Sequence, residues 1–134
     1  MPAKDKYHDT VKRALLKAGW HILGEQLYLS DNQRHVWIDL RAQQSDNPVL
    51  LIEIKGFEGN ASLIDALMAA IGQYAIYKAM IDYLKRSELL YLAVPKAAYE
   101  GIFQAPVAQQ VLKNLGVRLT VFDPETEEVI LWIP

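Results

Sequence analysis

The segment Val49-Leu50-Leu51-Ile52-Glu53-Ile54-Lys55 is an almost continuous apolar run that ends at Gly56. Such a run is typical of a strand that is covered on both faces of a sheet. Glu53 is out of place there, because an unpaired carboxylate in apolar surroundings costs several kcal/mol. Side chains two residues apart in a strand point to the same side, so we expect Lys55 beside Glu53.

A second acid lies in the strand predicted just before this one. Asp39 is near the end of Val36-Trp37-Ile38-Asp39-Leu40, and if the two strands pair as a hairpin, Asp39 and Glu53 come within reach of each other. Two carboxylates on adjacent strands suit Mg²⁺ or Mn²⁺, which can polarise a phosphate and acidify a bound water. Lys55 can orient that water and stabilise developing charge. The pattern indicates phosphodiester hydrolysis; the structural alternative is a neutralised Glu53–Lys55 pair at a sheet edge.

The other elements place these strands in a single α/β domain over residues 1–134. Apolar spacing predicts a first helix over Lys4 to Ala18 and a long helix over Asn60 to Leu84. Further strands are predicted at Trp20 to Leu29, Leu89 to Val94, Val117 to Phe122 and Val129 to Ile133, with a helix over Ala105 to Leu115. This order predicts a central mixed β-sheet flanked by helices on both faces.

The long helix carries apolar residues on two sides, one with Leu67 and Ile71 and the other with small alanines, Gln73 and Tyr77. A helix of this kind is expected to be sandwiched between other layers. Gln73 and Tyr77 both need hydrogen-bond partners, which are either backbone carbonyls of the core or groups of the acidic site. His8 of the first helix is expected to face inward, as a buried neutral histidine or as a supporting group.

Composition excludes several classes of protein. The chain has 134 residues, 51% of them apolar and 22% charged, which is ordinary for a globular protein. It has no cysteine, which excludes disulfide frameworks, thiolate zinc sites and cysteine nucleophiles. A net charge of -2 argues against bulk electrostatic binding of nucleic acid, although the cations of the first helix leave a local basic surface open.

We expect a soluble cytoplasmic protein that does not contact a membrane. No apolar run approaches the roughly 18 residues of a membrane span, and the segment Met1-Pro2-Ala3-Lys4-Asp5-Lys6 is charged where a signal peptide is apolar. The tyrosines and Trp20, Trp37 and Trp132 are scattered through strands, which favours positions in the core or on the sheet surface over a base-stacking platform.

Asp39, followed after thirteen residues by Glu53-Ile54-Lys55, resembles the signature of the PD-(D/E)XK restriction-endonuclease-like superfamily. Gln73 and Tyr77 resemble the QxxxY helix motif of its RecB-type nuclease branch. More narrowly, essentially the whole chain resembles the XisH family, the fdxN-element excision controlling factor of cyanobacteria. The segments that carry this resemblance are Pro2-Ala3-Lys4-Asp5, Ile38-Asp39-Leu40, Ile52-Glu53-Ile54-Lys55-Gly56-Phe57, Gly72-Gln73-Tyr74 with Tyr77, and Leu90-Tyr91-Leu92-Ala93-Val94-Pro95.

The resemblance implies a restriction-endonuclease-like fold and a role in excision of a DNA element, with DNA, a site-specific recombinase and a companion factor called XisI as partners. Carried over to this sequence, Asp39 and Glu53 are the ligands of Mg²⁺ or Mn²⁺. Lys55 positions the water or stabilises charge, and Gln73 and Tyr77 support the site.

Two positions depart from the superfamily pattern. Ile38 stands before the first acid where the pattern has proline, which is a common variation. The acid that some members carry in the first helix has no clear counterpart, because Asp5, Asp9 and His8 are all candidates.

The residues and the resemblance leave more than one function open. The first is a metal-dependent DNA endonuclease or nicking enzyme. The alternative is a catalytically inactive DNA-binding or protein-interaction accessory of a recombinase. A third, ranked last, is assembly with a partner through the sheet edge at Leu119 to Ile133. A homodimer is also open, since endonucleases that cut both strands commonly dimerise.

Overall fold

A computed structural model of the protein describes residues 4–58 and 62–134, and its centre is one six-stranded sheet. The strands lie side by side in chain order. They are β1 His21–Ser30, β2 His35–Gln43, β3 Leu50–Ile54, β4 Leu89–Pro95, β5 Leu119–Asp123 and β6 Glu128–Ile133. The helices are α1 His8–Lys17, α2 Leu63–Tyr83, α3 Lys96–Glu100 and α4 Pro106–Leu115, with a 3₁₀ turn at Ile102–Gln104.

The sheet is mixed, as the sequence predicted. The pairs β1–β2, β2–β3 and β5–β6 are antiparallel, whereas β3–β4 and β4–β5 are parallel. Parallel neighbours need a crossover connection, and α2 makes the first crossover while α3 and α4 make the second.

Helices cover both faces of the sheet, which confirms the predicted architecture. Val11 and Leu15 of α1 are buried against Leu40, Ile52 and Ile54 on one face. The other face is covered by α2 and α4, whose buried side chains pack against β3, β4 and β5. In the part of the chain that the structure describes, no helix has the length and apolar character needed to cross a membrane.

The first two long helices begin later than the apolar spacing predicted. The first helix begins at His8 and not at Lys4, because the carboxylate of Asp5 accepts a hydrogen bond of 2.8 Å from the backbone N–H of Tyr7 and holds the preceding residues in a turn. In the long helix, the side chain of Ser62 accepts from the N–H of Asp65, as a capping residue does. The predicted start of the long helix, Asn60, lies outside the described residues. Pro2 and Ala3 of the predicted family segment also lie outside them.

The prediction that α2 is sandwiched is wrong. Its inner side buries Leu67, Ala70, Tyr74 and Ile81, but its outer side faces solvent. The apolar pattern shows which sides of a helix can be covered and does not show which side is covered. The exposed apolar face of α2 consists of Ile64, Met68, Ile76 and Tyr83, which are 44%, 59%, 60% and 69% exposed.

Both edges of the sheet are irregular. The pairing of the first edge strand, β1, with β2 shifts register between Ile22 and Gly24. The pairing of β5 with the last edge strand, β6, shifts between Val121 and Phe122. Shifts of this kind bend a strand and increase its local twist.

A buried tyrosine connects α2 to the centre of the sheet. The hydroxyl of Tyr74 donates to the carbonyl of Leu90 in β4 and accepts from the backbone N–H of Arg118 just before β5, both at 3.1 Å. One side chain thus satisfies two backbone groups that belong to adjacent parallel strands.

We predict that Tyr74→Phe lowers the free energy of unfolding by about 1–3 kcal/mol, because it leaves both backbone groups without this partner. Urea unfolding measures the change. Tyr83→Phe is the matched control, since Tyr83 lies on the exposed face of the same helix. Equal stability of the two variants would contradict the prediction.

Candidate active site

The site forms where β2 and β3 separate. Their backbone pairing ends at Leu40 and Ile52. Beyond this point, the backbone N–H groups donate to acidic side chains of the neighbouring strand. The N–H of Ile54 donates to Oδ2 of Asp39 at 2.8 Å, and the N–H of Asp39 donates to Oε1 of Glu53 at 3.3 Å. Each acid is therefore held by the strand of the other, as the predicted hairpin pairing required.

Both acids are buried, and burial controls their protonation. Burial, with the Asp39 carboxylate beside it, raises the pKa of Glu53 to about 9. Burial also raises the pKa of Asp39, although the hydrogen bond from Ile54 opposes the change. The two carboxyl groups interact directly, because ionisation of Asp39 opposes ionisation of Glu53. Two interacting acids ionise in two steps, so the pair retains a proton near neutral pH when no cation is bound.

Lys55 places a cation beside the two acids. Its Nζ lies 3.9 Å from Oε2 of Glu53, at the limit of an ion pair. Its backbone N–H donates to the carbonyl of Ala93 at 2.9 Å, so pairing with β4 fixes the chain where the side chain emerges. Because the ammonium is only loosely engaged by Glu53, it can contact a further anion in the cavity.

Two residues of α2 complete one wall of the cavity. Gln73 and Tyr77 line a space of about 400 Å³ together with Asp39, Glu53 and Lys55. Burial, followed by the two nearby carboxylates, raises the pKa of Tyr77 to about 12, so its hydroxyl stays protonated and can donate. Oε1 of Gln73 is buried and has no partner among the described residues.

The structure separates the three candidates for an acid near the first helix. Asp5 lines the cavity and accepts from the N–H of Gly56 at 3.3 Å. Asp9 is exposed and forms an ion pair of 3.8 Å with Lys4. His8 is buried, but its Nε2 lies 2.8 Å from Oε1 of Glu25 and it does not line the cavity. A supporting role for His8 thus stays a prediction, and any such role acts from behind the cavity wall.

Gly56 permits the approach of Asp5. A Cβ atom at this position would lie 3.1 Å from Cδ2 of Tyr7 and 3.3 Å from Oδ1 of Asp5. The absence of a side chain lets the segment before α1 lie against the end of β3. Sequence spacing contains no sign of this contact, since the two segments are 51 positions apart.

Aromatic residues form a further part of the cavity that sequence reasoning missed. His35 and Trp37 of β2 line the same space as the acids. Tyr28 of β1 lies across the hairpin, with its ring centroid 5.3 Å from that of His35 and 5.1 Å from that of Trp37. Tyr28 and Trp37 lie on the sheet, as expected for the tyrosines and tryptophans, but their grouping with His35 was not predicted. The sequence did contain a sign of this grouping. Tyr28 and Trp37 lie on either side of the predicted turn at Ser30-Asp31-Asn32-Gln33, and residues equidistant from a hairpin turn face each other.

The family model of the XisH protein matches residues 1–130. The chain belongs to the XisH family. A solved XisH family protein from Nostoc punctiforme PCC 73102 is 28% identical, covers 97% of this chain and 100% of its own, and superposes with a TM-score of 0.90. A fdxN element excision controlling factor protein from Anabaena variabilis is 29% identical, with coverages of 98% and 100% and a TM-score of 0.91.

One more distant structure shares the fold alone. It is the SPO1766 protein of unknown function from Silicibacter pomeroyi, 13% identical over 98% of this chain and 75% of its own, with a TM-score of 0.53. No curated protein matches the sequence.

The donor set of this XisH protein fits a hard divalent cation that retains water ligands. Among residues 4–58 and 62–134, no group of three or more histidine, aspartate and glutamate side chains is placed to hold a metal. Mg²⁺ does not need one, because it is usually held by one or two carboxylates together with waters and substrate phosphates. Asp39 and Glu53 provide such a pair.

The basic surface that the composition left open is partly neutralised on α1. Lys12 pairs with Glu25 at 2.9 Å, and Arg13 pairs with Glu127 at 2.6 Å. Lys17 donates to the carbonyl of Thr126. Lys12 and Arg13 are neutralised by these ion pairs and attach the helix to the sheet, whereas Lys17 is held in place but keeps its positive charge.

We predict that Glu53→Gln removes a pH dependence of stability. Glu53 has an ordinary pKa of 4.5 and a folded value of about 9, so between these values the folded protein binds a proton that the unfolded chain has released. Raising the pH therefore destabilises the fold. Since glutamine resembles the protonated acid, the variant should match wild type near pH 4.5 and exceed it at about pH 8 by up to about 4 kcal/mol.

Urea unfolding with a chelator, at both pH values, measures this difference. Glu100→Gln is the matched control on the exposed surface and should give the same small change at both pH values. A gain for Glu53→Gln that does not grow with pH would contradict the shared-proton description.

Proposed function

We propose that this protein is a metal-dependent DNA endonuclease or nicking enzyme that supports controlled excision of a DNA element. The observation that carries the proposal is the buried pair Asp39 and Glu53, with Lys55 beside it, in a cavity open to a phosphate. The likeness to the Anabaena variabilis protein, a fdxN element excision controlling factor, supports the biological setting.

Each residue of the cavity has a proposed role in cleavage. Asp39 and Glu53 would hold Mg²⁺ or Mn²⁺, which when bound polarises a phosphate oxygen and acidifies a water. The Lys55 ammonium orients the attacking water and stabilises negative charge on the phosphate. The neutral hydroxyl of Tyr77 and the amide of Gln73 donate hydrogen bonds from the opposite wall, and the unpaired Oε1 of Gln73 is available to accept one.

The proposed partners follow from this setting. DNA is the substrate, and a site-specific recombinase and a companion factor of the XisI type act with the protein. Endonucleases that cut both strands of a duplex commonly dimerise, so a homodimer is the proposed form for an endonuclease and a monomer for a nicking enzyme.

We expect Lys55→Met to reduce plasmid cleavage in Mg²⁺ or Mn²⁺ by about 100-fold or more, because it removes the charge that faces the phosphate. Asp39→Asn should reduce cleavage at least as much. Conversion of supercoiled plasmid to nicked and linear forms is the measurement. The matched control is Lys113→Met, an exposed lysine of α4, which should cut like wild type.

Two results would contradict the nuclease proposal. One is wild-type protein that binds DNA but cuts no form of it with either cation. The other is cleavage that persists unchanged in both site variants, which would assign the activity to a contaminant.

A second candidate function, a catalytically inactive accessory that binds a protein partner, is favoured by the exposed apolar face of α2. Large apolar side chains that stay half exposed along one helix are typical of an interaction surface. This face is separate from the cavity, because Gln73 and Tyr77 project toward the acids while Ile76 faces solvent. We propose a companion of the XisI type as its partner.

Ile76→Glu is predicted to weaken binding of that companion by about tenfold or more, because association would bury an unpaired carboxylate. Titration calorimetry with the two purified proteins measures the change. Leu16→Glu places the same charge on the exposed side of α1 as a control. If wild type does not bind the companion and instead forms a dimer that Ile76→Glu dissociates, the face belongs to a second copy.

A further inference from the structure

Three aromatic rings stand at the free end of the β1–β2 hairpin. The rings of Tyr28 and His35 stack, with centroids 5.3 Å apart and an interplanar angle of 26°. Trp37 meets Tyr28 edge to face at 5.1 Å. Tyr28 is 51% exposed and His35 is also exposed. We call these three residues the aromatic cluster.

Stabilisation of the hairpin does not account for this exposure. Cross-strand aromatic pairs stabilise a hairpin by roughly 0.2–1 kcal/mol. Aromatic rings that only stabilise the fold contribute more when they are buried, because burial removes their apolar surface from water. The other aromatic group of this chain shows the difference. Trp20 and Trp132 lie 5.1 Å apart and pack against the core on the α1 face.

The aromatic cluster continues the candidate active site. His35 and Trp37 line the same cavity as Asp39, Glu53 and Lys55. Alternate residues of β2 are about 7 Å apart, so Trp37 and His35 lie one and two such steps from Asp39. The spacing of about 7 Å between Trp37 and His35 along β2 is about twice the 3.4 Å rise per nucleotide of one strand in duplex DNA. Bases placed on these rings would be separated from each other, as in an extended single strand.

The charges of the protein also favour a ligand with accessible bases. In duplex DNA the faces of the bases are stacked on one another, and proteins contact the duplex mainly through its phosphates, with lysine and arginine side chains. Here the cations of α1 are engaged by Glu25, Glu127 and Thr126, and Lys78 is paired with Asp82. Single strands, in contrast, gain about 1–3 kcal/mol for each base stacked on an aromatic side chain.

We propose that Tyr28, His35 and Trp37 form a base-stacking surface that holds a single-stranded segment of nucleic acid next to the Asp39 and Glu53 site. The inference rests on the proposed function and narrows its substrate to DNA with unpaired bases near the cut, such as a nicked, frayed or branched form. Arg34 is exposed in the hairpin turn, next to His35 in the chain, and can contact the phosphates of such a strand.

Fluorescence anisotropy with a fluorescein-labelled 15-nucleotide oligodeoxythymidylate, and with its duplex, tests the surface. Ca²⁺ replaces Mg²⁺ in the binding assay. We expect the single strand to bind more tightly than the duplex. Trp37→Ala and Tyr28→Ala should each weaken single-strand binding by about tenfold or more, whereas Trp37→Phe, which keeps a ring, should stay within about threefold.

Further variants and a folding test separate stacking at this surface from general effects of losing an aromatic side chain. Tyr83→Ala removes an exposed aromatic side chain from α2 and should leave binding unchanged. Thermal unfolding verifies that the alanine variants are folded, and Tyr28→Ser offers a second variant at the more exposed position. Wild-type affinity in Trp37→Ala and Tyr28→Ala, equal loss of duplex and single-strand binding, or no binding by wild type would each overturn the inference.

The plasmid assay keeps this inference distinct from the nuclease proposal. Trp37-dependent binding of the single strand without any cleavage would support the surface and reject the nuclease. Cleavage that needs Lys55, with neither cleavage nor single-strand binding changed in the aromatic variants, would support the nuclease and reject the surface.

Discussion

The structure depends on two carboxyl groups that lie side by side where a sheet opens. Asp39 and Glu53 replace the backbone pairing that β2 and β3 give up, and each accepts a backbone N–H from the other's strand. This arrangement requires the register of Leu40 with Ile52, and a shift of either strand by one residue would place the two acids on opposite faces of the sheet. The antiparallel strands β1 to β3 hold that register, and α2 supplies the wall above it.

The two faces of the sheet differ in what their helices contribute. On one face, α1 buries Val11 and Leu15, and its cations bind β1 and the turn between β5 and β6. On the other face, Tyr74 holds α2 to the backbone near β4 and β5. The same helix presents Gln73 and Tyr77 to the acids. Stability thus comes from both layers, whereas the candidate chemistry lies on one.

The sequence predicted those parts of the site that depend on local pattern. An acid inside an apolar run marks Glu53, and the period of two in a strand adds Lys55. The pairing with Asp39 needed only an assumed hairpin. The parts that were missed depend on contacts between distant segments. Asp5 enters the cavity because Gly56 leaves room for it, and Tyr28 meets Trp37 across a hairpin. Which side of α2 is covered depends on the whole sheet, and no window of sequence contains it.

The irregular edges of the sheet affect how this protein can associate with other chains. An edge strand presents unpaired backbone groups to which another strand can add. Here the register shifts beside Gly24 and beside Phe122 bend and twist the outermost strands. A strand from another molecule would have to follow this distorted edge, which disfavours edge-to-edge addition of strands to the sheet. Side-chain surfaces are therefore the more favourable places for a partner to bind.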